Sequence, residues 1–216
     1  PVWTYALGDA LLEKRVWMQP GANKTYLRYD FVRGSDSLVL TLKAIVNHRD
    51  HHGGHGLGDE AMQVERIEDS LRFQPGEQAD PFYLLSDGAE AEPKHEWYRD
   101  YYLREEAYRG LEPWDDHLYA GDFRAELRPG GSLTLVACTE PTPTLDGDSA
   151  LQARKTYETG IRDQSELSGR GEGIQQLLLA ADQFIVDRPS PDDDVGKTII
   201  AGYPWFGDWG RDTMIA

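Results

Sequence analysis

Polar and apolar residues alternate with a period of two through most of the first 139 positions. In residues 24–32, Tyr26, Arg28 and Asp30 alternate with Leu27, Tyr29 and Phe31, and in residues 37–46 Leu38, Leu40 and Leu42 fall on one face. Successive side chains of a β-strand point to opposite faces of its sheet, so this pattern predicts strands with one face buried. Residues 2–7, 71–74, 82–85, 119–127 and 133–138 read the same way. Gly34-Ser35-Asp36 has the composition of a hairpin turn, and Pro75-Gly76 and Pro129-Gly130-Gly131 punctuate the later runs. Strands that follow one another through short turns, with no helices between them, predict an antiparallel β-sandwich.

The pattern changes after Thr139. Pro141-Thr142-Pro143 forbids regular structure, and Asp146-Gly147-Asp148 then leads to Ser149, with Gln152 three residues later as a capping box. A linker helix is predicted from there to Tyr157 or Ile161. Between residues 174 and 186 two readings stand: Ile174, Leu177, Leu178, Ala181 and Phe184 have helical spacing, whereas Phe184-Ile185-Val186 is strand-like. Pro189-Ser190-Pro191-Asp192-Asp193-Asp194 reads as a solvated loop, residues 197–201 as a short strand, and Asp212 onward as the start of a helix.

Composition narrows the function. Lys and Arg number 22 against 38 Asp and Glu, a formal net charge of −16. Affinity for a polyphosphate comes mainly from neutralising it with cations, so a nucleic-acid partner is excluded. Hydrophobic residues make up 39%, enough for a packed core. The longest apolar runs are broken by Lys, Gln or Asp, and no membrane partner is expected. Cys138 is the only cysteine, which suits a reducing compartment such as the cytoplasm. With a strand at its first residues, no initiator Met, and a helix just starting at its end, the chain reads as a piece of something longer.

The densest chemistry lies in residues 201–213. Four of the seven residues from Tyr203 to Trp209 are aromatic, in a stretch that Pro204, Gly207 and Gly210 should keep from being a regular helix or strand. A sugar ring stacks its C–H face on such rings, while carboxylates and guanidinium groups bind its adjacent hydroxyls. Tyr203, Trp205, Asp208, Trp209, Arg211 and Asp212 are therefore the candidate substrate-binding residues. The competing reading is a core aromatic cluster with Asp208 or Asp212 as a helix cap. A second candidate is His48-Arg49-Asp50-His51-His52-Gly53-Gly54-His55, whose histidines could hold a metal. Its glycines argue against a rigid ligand set, and the expectation is a polar loop without metal. Glu65, Glu68 and Asp69, like Glu90, Glu92 and Glu96, read as solvated faces. Trp97-Tyr98 and Tyr101-Tyr102 read as packing between sheet faces, with a glycan platform as the alternative.

Ala201-Gly-Tyr-Pro-Trp-Phe-Gly-Asp-Trp-Gly-Arg-Asp-Thr-Met-Ile-Ala216 resembles the opening of the catalytic domain in bacterial glycogen debranching enzymes of the amylo-α-1,6-glucosidase type. The runs Leu11-Leu-Glu-Lys-Arg-Val-Trp-Met-Gln-Pro-Gly-Ala-Asn23, Asp116-His-Leu-Tyr-Ala-Gly-Asp-Phe123 and Leu179-Ala-Ala-Asp-Gln-Phe-Ile-Val186 resemble that family's N-terminal domain and junction. The resemblance implies a β-sandwich at residues 1–140, lacking the family's Gly-rich first strands, then a linker and junction at 141–186. The start of an (α/α)6 barrel would follow at 187–216. It implies an α-1,6-glucosidase acting on glycogen or a branched α-glucan, without metal or organic cofactor, and completed by the remainder of its own barrel.

Glycoside hydrolysis needs two carboxyl groups, one of them protonated at working pH. Arg211 beside Asp212 would lower the pKa of that carboxyl and suits it to accepting hydroxyl hydrogen bonds. In related (α/α)6-barrel glucosidases a similar Arg-Asp pair grips the terminal glucose, so the resemblance assigns Arg211 and Asp212 to glucose binding. The catalytic pair is then outside this chain; Asp212 as the general acid is the alternative. If the aromatics line a barrel, Tyr203, Trp205, Phe206 and Trp209 should be poorly covered. A stand-alone lectin-like sandwich would instead bury most of them against its own sheet and expose at most one or two as a platform; all four packed with the Leu38, Leu40 and Leu42 strand would favour that reading.

Overall fold

The computed structural model describes residues 1–49, 62–167, 169–189, 196–202 and 206–211. Its chain clusters into two compact units, Pro1–Arg154 and Lys155–Ala216. The strands of the first unit are β1 (Val2–Leu7), β2 (Ala10–Met18), β3 (Lys24–Arg33), β4 (Leu38–Val46), β5 (Gln63–Ile67), β6 (Ser70–Gln74), β7 (Phe82–Ser86), β8 (Glu90–Tyr102), β9 (Trp114–Leu127) and β10 (Ser132–Cys138), with the short helix α1 (Arg104–Tyr108) between β8 and β9. They form a seven-stranded sheet in the order β1-β2-β3-β10-β7-β6-β5 and a three-stranded sheet in the order β4-β9-β8. Every pairing is antiparallel.

The two sheets share one core. Phe31, Leu71, Phe73, Leu133 and Leu135 of the larger sheet pack in the same cluster as Ala44, Leu118, Phe123 and Leu127 of the smaller one. Leu38, Leu40 and Leu42 pack against that cluster from β4, as the period of two predicted. Each large apolar side chain buried in this way contributes about 1.5–3 kcal/mol. This is a mainly β fold of the sandwich type. Gly121 sets how closely its layers approach: a Cβ there would lie 2.6 Å from the Glu92 carbonyl oxygen and 2.8 Å from Leu71 Cδ1.

β10 is buried on both faces. Leu133 and Leu135 face the shared core, while Val136 and Cys138 join Trp17, Tyr26, Tyr83 and Leu85 in a second cluster. Leu145, Ala150 and Leu151 close that second cluster from outside. Two of them belong to the first turns of helix α2 (Gly147–Gln164). The sequence predicts Ser149 as the cap of this helix; the structure moves the cap to Asp146. Asp146 Oδ1 accepts from the Ser149 backbone N–H at 3.0 Å, and the Ser149 hydroxyl donates back to Oδ2 at 2.6 Å. Asp outcompetes Ser here because its carboxylate serves both donors at once and sits at the positive end of the helix.

One turn is also corrected. Gly34-Ser35-Asp36 joins β3 to β4, which lie in different sheets, so it is a crossover and not a hairpin. Gly34 faces the Phe31 ring too closely for any side chain, and the Ser35 N–H donates to Asp9 at 2.8 Å. Pro129-Gly130-Gly131 likewise carries the chain from β9 to the other sheet, its backbone exchanging hydrogen bonds with Phe31 of β3 at 2.7 and 2.9 Å. Pro75-Gly76 does lie in a β6–β7 hairpin.

In the second unit, α3 (Glu172–Asp182) is followed by β11 (Ile185–Asp187), so both readings of residues 174–186 hold, one after the other. β11, β12 (Lys197–Gly202) and β13 (Phe206–Asp208) form a three-stranded antiparallel sheet. The predicted loop after Pro189 and the predicted helix from Asp212 lie outside the described residues, apart from Pro189 itself. Among the described residues, no helix is long and apolar enough to cross a membrane.

Candidate functional site

The aromatic segment is partly a strand. Although Gly207 argued against regular structure, Phe206 pairs with Gly202 and Asp208 with Ile200 across the β12–β13 ladder. A strand of three residues needs only two such pairs, and a glycine between them costs too little to prevent it. The strand sets Phe206 beside Trp209 in an edge-to-face contact, ring centroids 5.9 Å apart. Both rings are open to solvent, Phe206 at 49% and Trp209 at 54% exposure. Arg211 is exposed as well. Tyr203, Trp205 and Asp212 lie outside the described residues.

Asp208 has a partner that the sequence reading missed. Arg188, just past β11, donates from Nε to Asp208 Oδ2 at 3.0 Å and from Nη2 to Oδ1. This bidentate pair holds the Asp208 carboxyl below its usual pKa, the hydrogen bond from Arg188 being the main cause. Asp208 is thus an ionised acceptor, already engaged on both oxygens. No sequence signal pairs residues 188 and 208; the register of the small sheet brings them together.

In the sandwich, the described part of the histidine-rich segment is His48 and Arg49, and Arg49 joins a buried polar network. Arg49 Nε lies 2.8 Å from Asp115 Oδ2, and the Asp115 side chain is wholly buried. Asn47 Nδ2 donates to the same Oδ2 at 3.2 Å and to the Asp116 carbonyl at 3.4 Å, and it lies 3.1 Å from His117 Nδ1. Asp116 accepts in turn from Arg99 at 2.7 Å and from the Asp100 backbone N–H at 3.0 Å. Asp100 sits in the left-handed region, φ 59°, at an irregularity in the β8–β9 register. That bulge turns its N–H toward Asp116. Asp50, His51, His52 and His55 lie outside the described residues. The sequence reading offered no hint of this network, since its predicted strand at 119–127 begins after Asp115 and Asp116.

The remaining sequence candidates separate by face. Trp97 packs against the shared core, whereas Tyr98 lies 5.6 Å from Tyr119 on the other side of the small sheet, with Lys43 Nζ within 2.7 Å of the Tyr98 hydroxyl. Tyr102, 56% exposed, meets Trp114 at the open end of β8 and β9.

A family model described as glycogen debranching enzyme N terminal matches residues 1–134, and one described as amylo-alpha-1,6-glucosidase matches residues 179–216. No curated protein matches the chain. The first match spans the whole run of sandwich strands up to the start of β10 and more than half of the chain. By that match the chain belongs to the glycogen debranching enzyme N-terminal family.

Proposed function

We propose that this chain is part of a glycogen debranching enzyme that hydrolyses α-1,6-glucosidic branch linkages in glycogen-like glucans. In this reading the sandwich supports an (α/α)6 barrel that begins near residue 187, and Tyr203, Trp205, Asp208, Trp209, Arg211 and Asp212 furnish part of its glucose pocket. The observation that carries it is the order of the two matches, an N-terminal sandwich family followed by the amylo-alpha-1,6-glucosidase family over residues 179–216. The exposure of Phe206 and Trp209 supports it further, since rings that line a pocket need an open face.

Within this reading Arg211 and Asp212 bind glucose hydroxyls, and the general acid and base come from elsewhere in the barrel. Asp208, clamped by Arg188, shapes the strand that presents Trp209. The test is kinetic. In the protein carrying the whole barrel, Arg211→Ala and Asp212→Asn should each lower kcat/KM on a branched limit dextrin by roughly 2–4 kcal/mol of transition-state binding. Both limbs of the pH–rate profile should survive in Asp212→Asn. Loss of the alkaline limb would make Asp212 the general acid instead.

A further inference from the structure

The first unit carries a groove that the glucose pocket above does not account for. It lies between Asn47 and His48 just past β4, the β6–β7 loop at Gln78, Ala79 and Asp80, Phe82 at the start of β7, and Thr139 just past β10. Its volume is about 600 Å³, and it is shallow, open to solvent over most of its extent. That is within the roughly 300–1,000 Å³ range of small-molecule sites.

We infer that this groove is a non-catalytic binding site for a segment of neutral α-glucan chain. The lining decides the class. It offers two side-chain amides, an imidazole, a hydroxyl and one carboxylate, and neither Lys nor Arg. An anionic ligand would meet Asp80 with no cation to offset it, on a chain whose net charge is −16. A purely apolar ligand would leave the amides and the carboxylate desolvated and unpaired. A polyhydroxyl ligand suits them: the Gln78 amide and the Asp80 carboxylate can each serve two adjacent hydroxyls, Asn47, whose N–H groups are taken by Asp115 and Asp116, offers its Oδ1 as an acceptor, and the Phe82 ring is a face for sugar C–H groups. That the polyol is an α-glucan rests on the proposed function.

The groove is held in shape on both sides. Asn47 is fixed by its bonds to Asp115 and Asp116, and Asp115 by Arg49. Across from it, Gln74 Nε2 donates to the carbonyls of Gly76 and Ala79 at 2.6 and 2.7 Å, which pins the loop bearing Gln78 and Asp80. The Phe82 ring is stacked on buried Phe73, centroids 4.6 Å apart. Binding therefore orders little that is not already ordered, which favours affinity for a ligand that makes only a few hydrogen bonds.

The experiment uses the 216-residue chain. Its migration in native gels containing glycogen, and its titration with maltoheptaose followed by the side-chain amide NMR signals of Asn47 and Gln78, are compared with those of a Q78A/D80A double variant. Both substituted side chains are exposed, and the unfolding midpoint of the variant is measured alongside. The expected result is retardation of the wild-type chain by glycogen, shifts of both amide signals with maltoheptaose, and at least about a tenfold loss of affinity in the variant. Retardation that persists in the variant but disappears in W209A would place the glucan on the second unit. That result overturns this inference and leaves the proposed function standing. Absence of any retardation or amide shift in the wild-type chain also overturns it, whereas the proposed function is decided separately by limit-dextrin hydrolysis in the protein with the whole barrel. If the variant fails to fold, the Asn47 and Gln78 amide shifts of the wild-type chain decide the matter alone.

Discussion

Gly121 shows how much one missing side chain can govern. Its hydrogen faces the Glu92 carbonyl and Leu71, and a methyl group there would have to push backbone and a buried side chain apart. Gly121→Ala should destabilise the sandwich by about 1–3 kcal/mol, read as a lower urea midpoint at unchanged m-value. Tyr119, two residues earlier, donates to Asp122 at 2.5 Å, and that bond, ahead of burial, pushes its pKa up to about 12. A phenol whose pKa is raised on folding stabilises the native state fully below the unfolded value of about 10, and loses that contribution as pH rises toward its folded value. Burial also raises the pKa of Tyr26 and Tyr29, so an alkaline titration of tyrosinate absorbance should show several late-ionising groups, of which Asp122→Ala moves one to lower pH. A late-ionising set left unchanged by Asp122→Ala would refute the bond. At this scale the sequence displayed the residues but not their partners: Tyr119 and Asp122 are close in the chain, whereas the contacts of Gly121 come from β8 and β6.

Elements were easier to read than the connections between them. The period of two located most sandwich strands because a half-buried strand must alternate. It missed β2, whose face is only partly buried, and β5 and β8, where Glu65, Glu90, Glu92 and Glu96 obscure the pattern by standing on exposed faces. β8 is an edge strand of its sheet and tolerates Pro93 beside a register shift for that reason. Cap chemistry in α2 was legible in kind and displaced by three residues. Asp146→Ala should fray the first turn of α2 and raise amide exchange at Ser149 and Ala150. The acceptor pair on Asp146 also holds its carboxyl below the usual pKa, through the Ser149 hydroxyl first. The cap is therefore present at neutral pH and is lost as pH falls through that lowered value. Between elements, Arg49 ties the end of β4 to the buried Asp115 of β9. Arg49→Ala removes a charged partner from a buried carboxylate and should cost roughly 1.5–3 kcal/mol in chemical denaturation. Arg49→Lys should recover only part of it, since a point charge does not reproduce the planar guanidinium.

For the chain as a whole, the proposed function divides the labour between a supporting sandwich and a second segment that opens the sugar-processing part. The purified 216-residue chain should release no glucose from a branched limit dextrin above a buffer control, because a glycosidase needs both carboxyl groups and the proposal places neither here. Release above that control would return Asp212 to consideration as the acid and require a second carboxylate within the chain.

By itself the sequence determined the mainly β class, the antiparallel strands, the change of grammar after Thr139 and the family, because alternation, turn residues and long ordered motifs are local properties of the chain. It also singled out the aromatic segment of residues 203–209, of which Phe206 and Trp209 are exposed, since four rings among glycines and a proline stand out wherever they fold. Only the tertiary structure decided which turns cross between sheets, since Gly, Ser and Asp give a tight turn the same freedom whether its strands pair or part. It alone decided that Asp208 answers to Arg188 and Asp115 to Arg49, because those partners are 20 and 66 residues apart and meet only through sheet register. The groove beside Asn47 arises in the same way, from three chain segments that share no sequence pattern until the sheets bring their ends together.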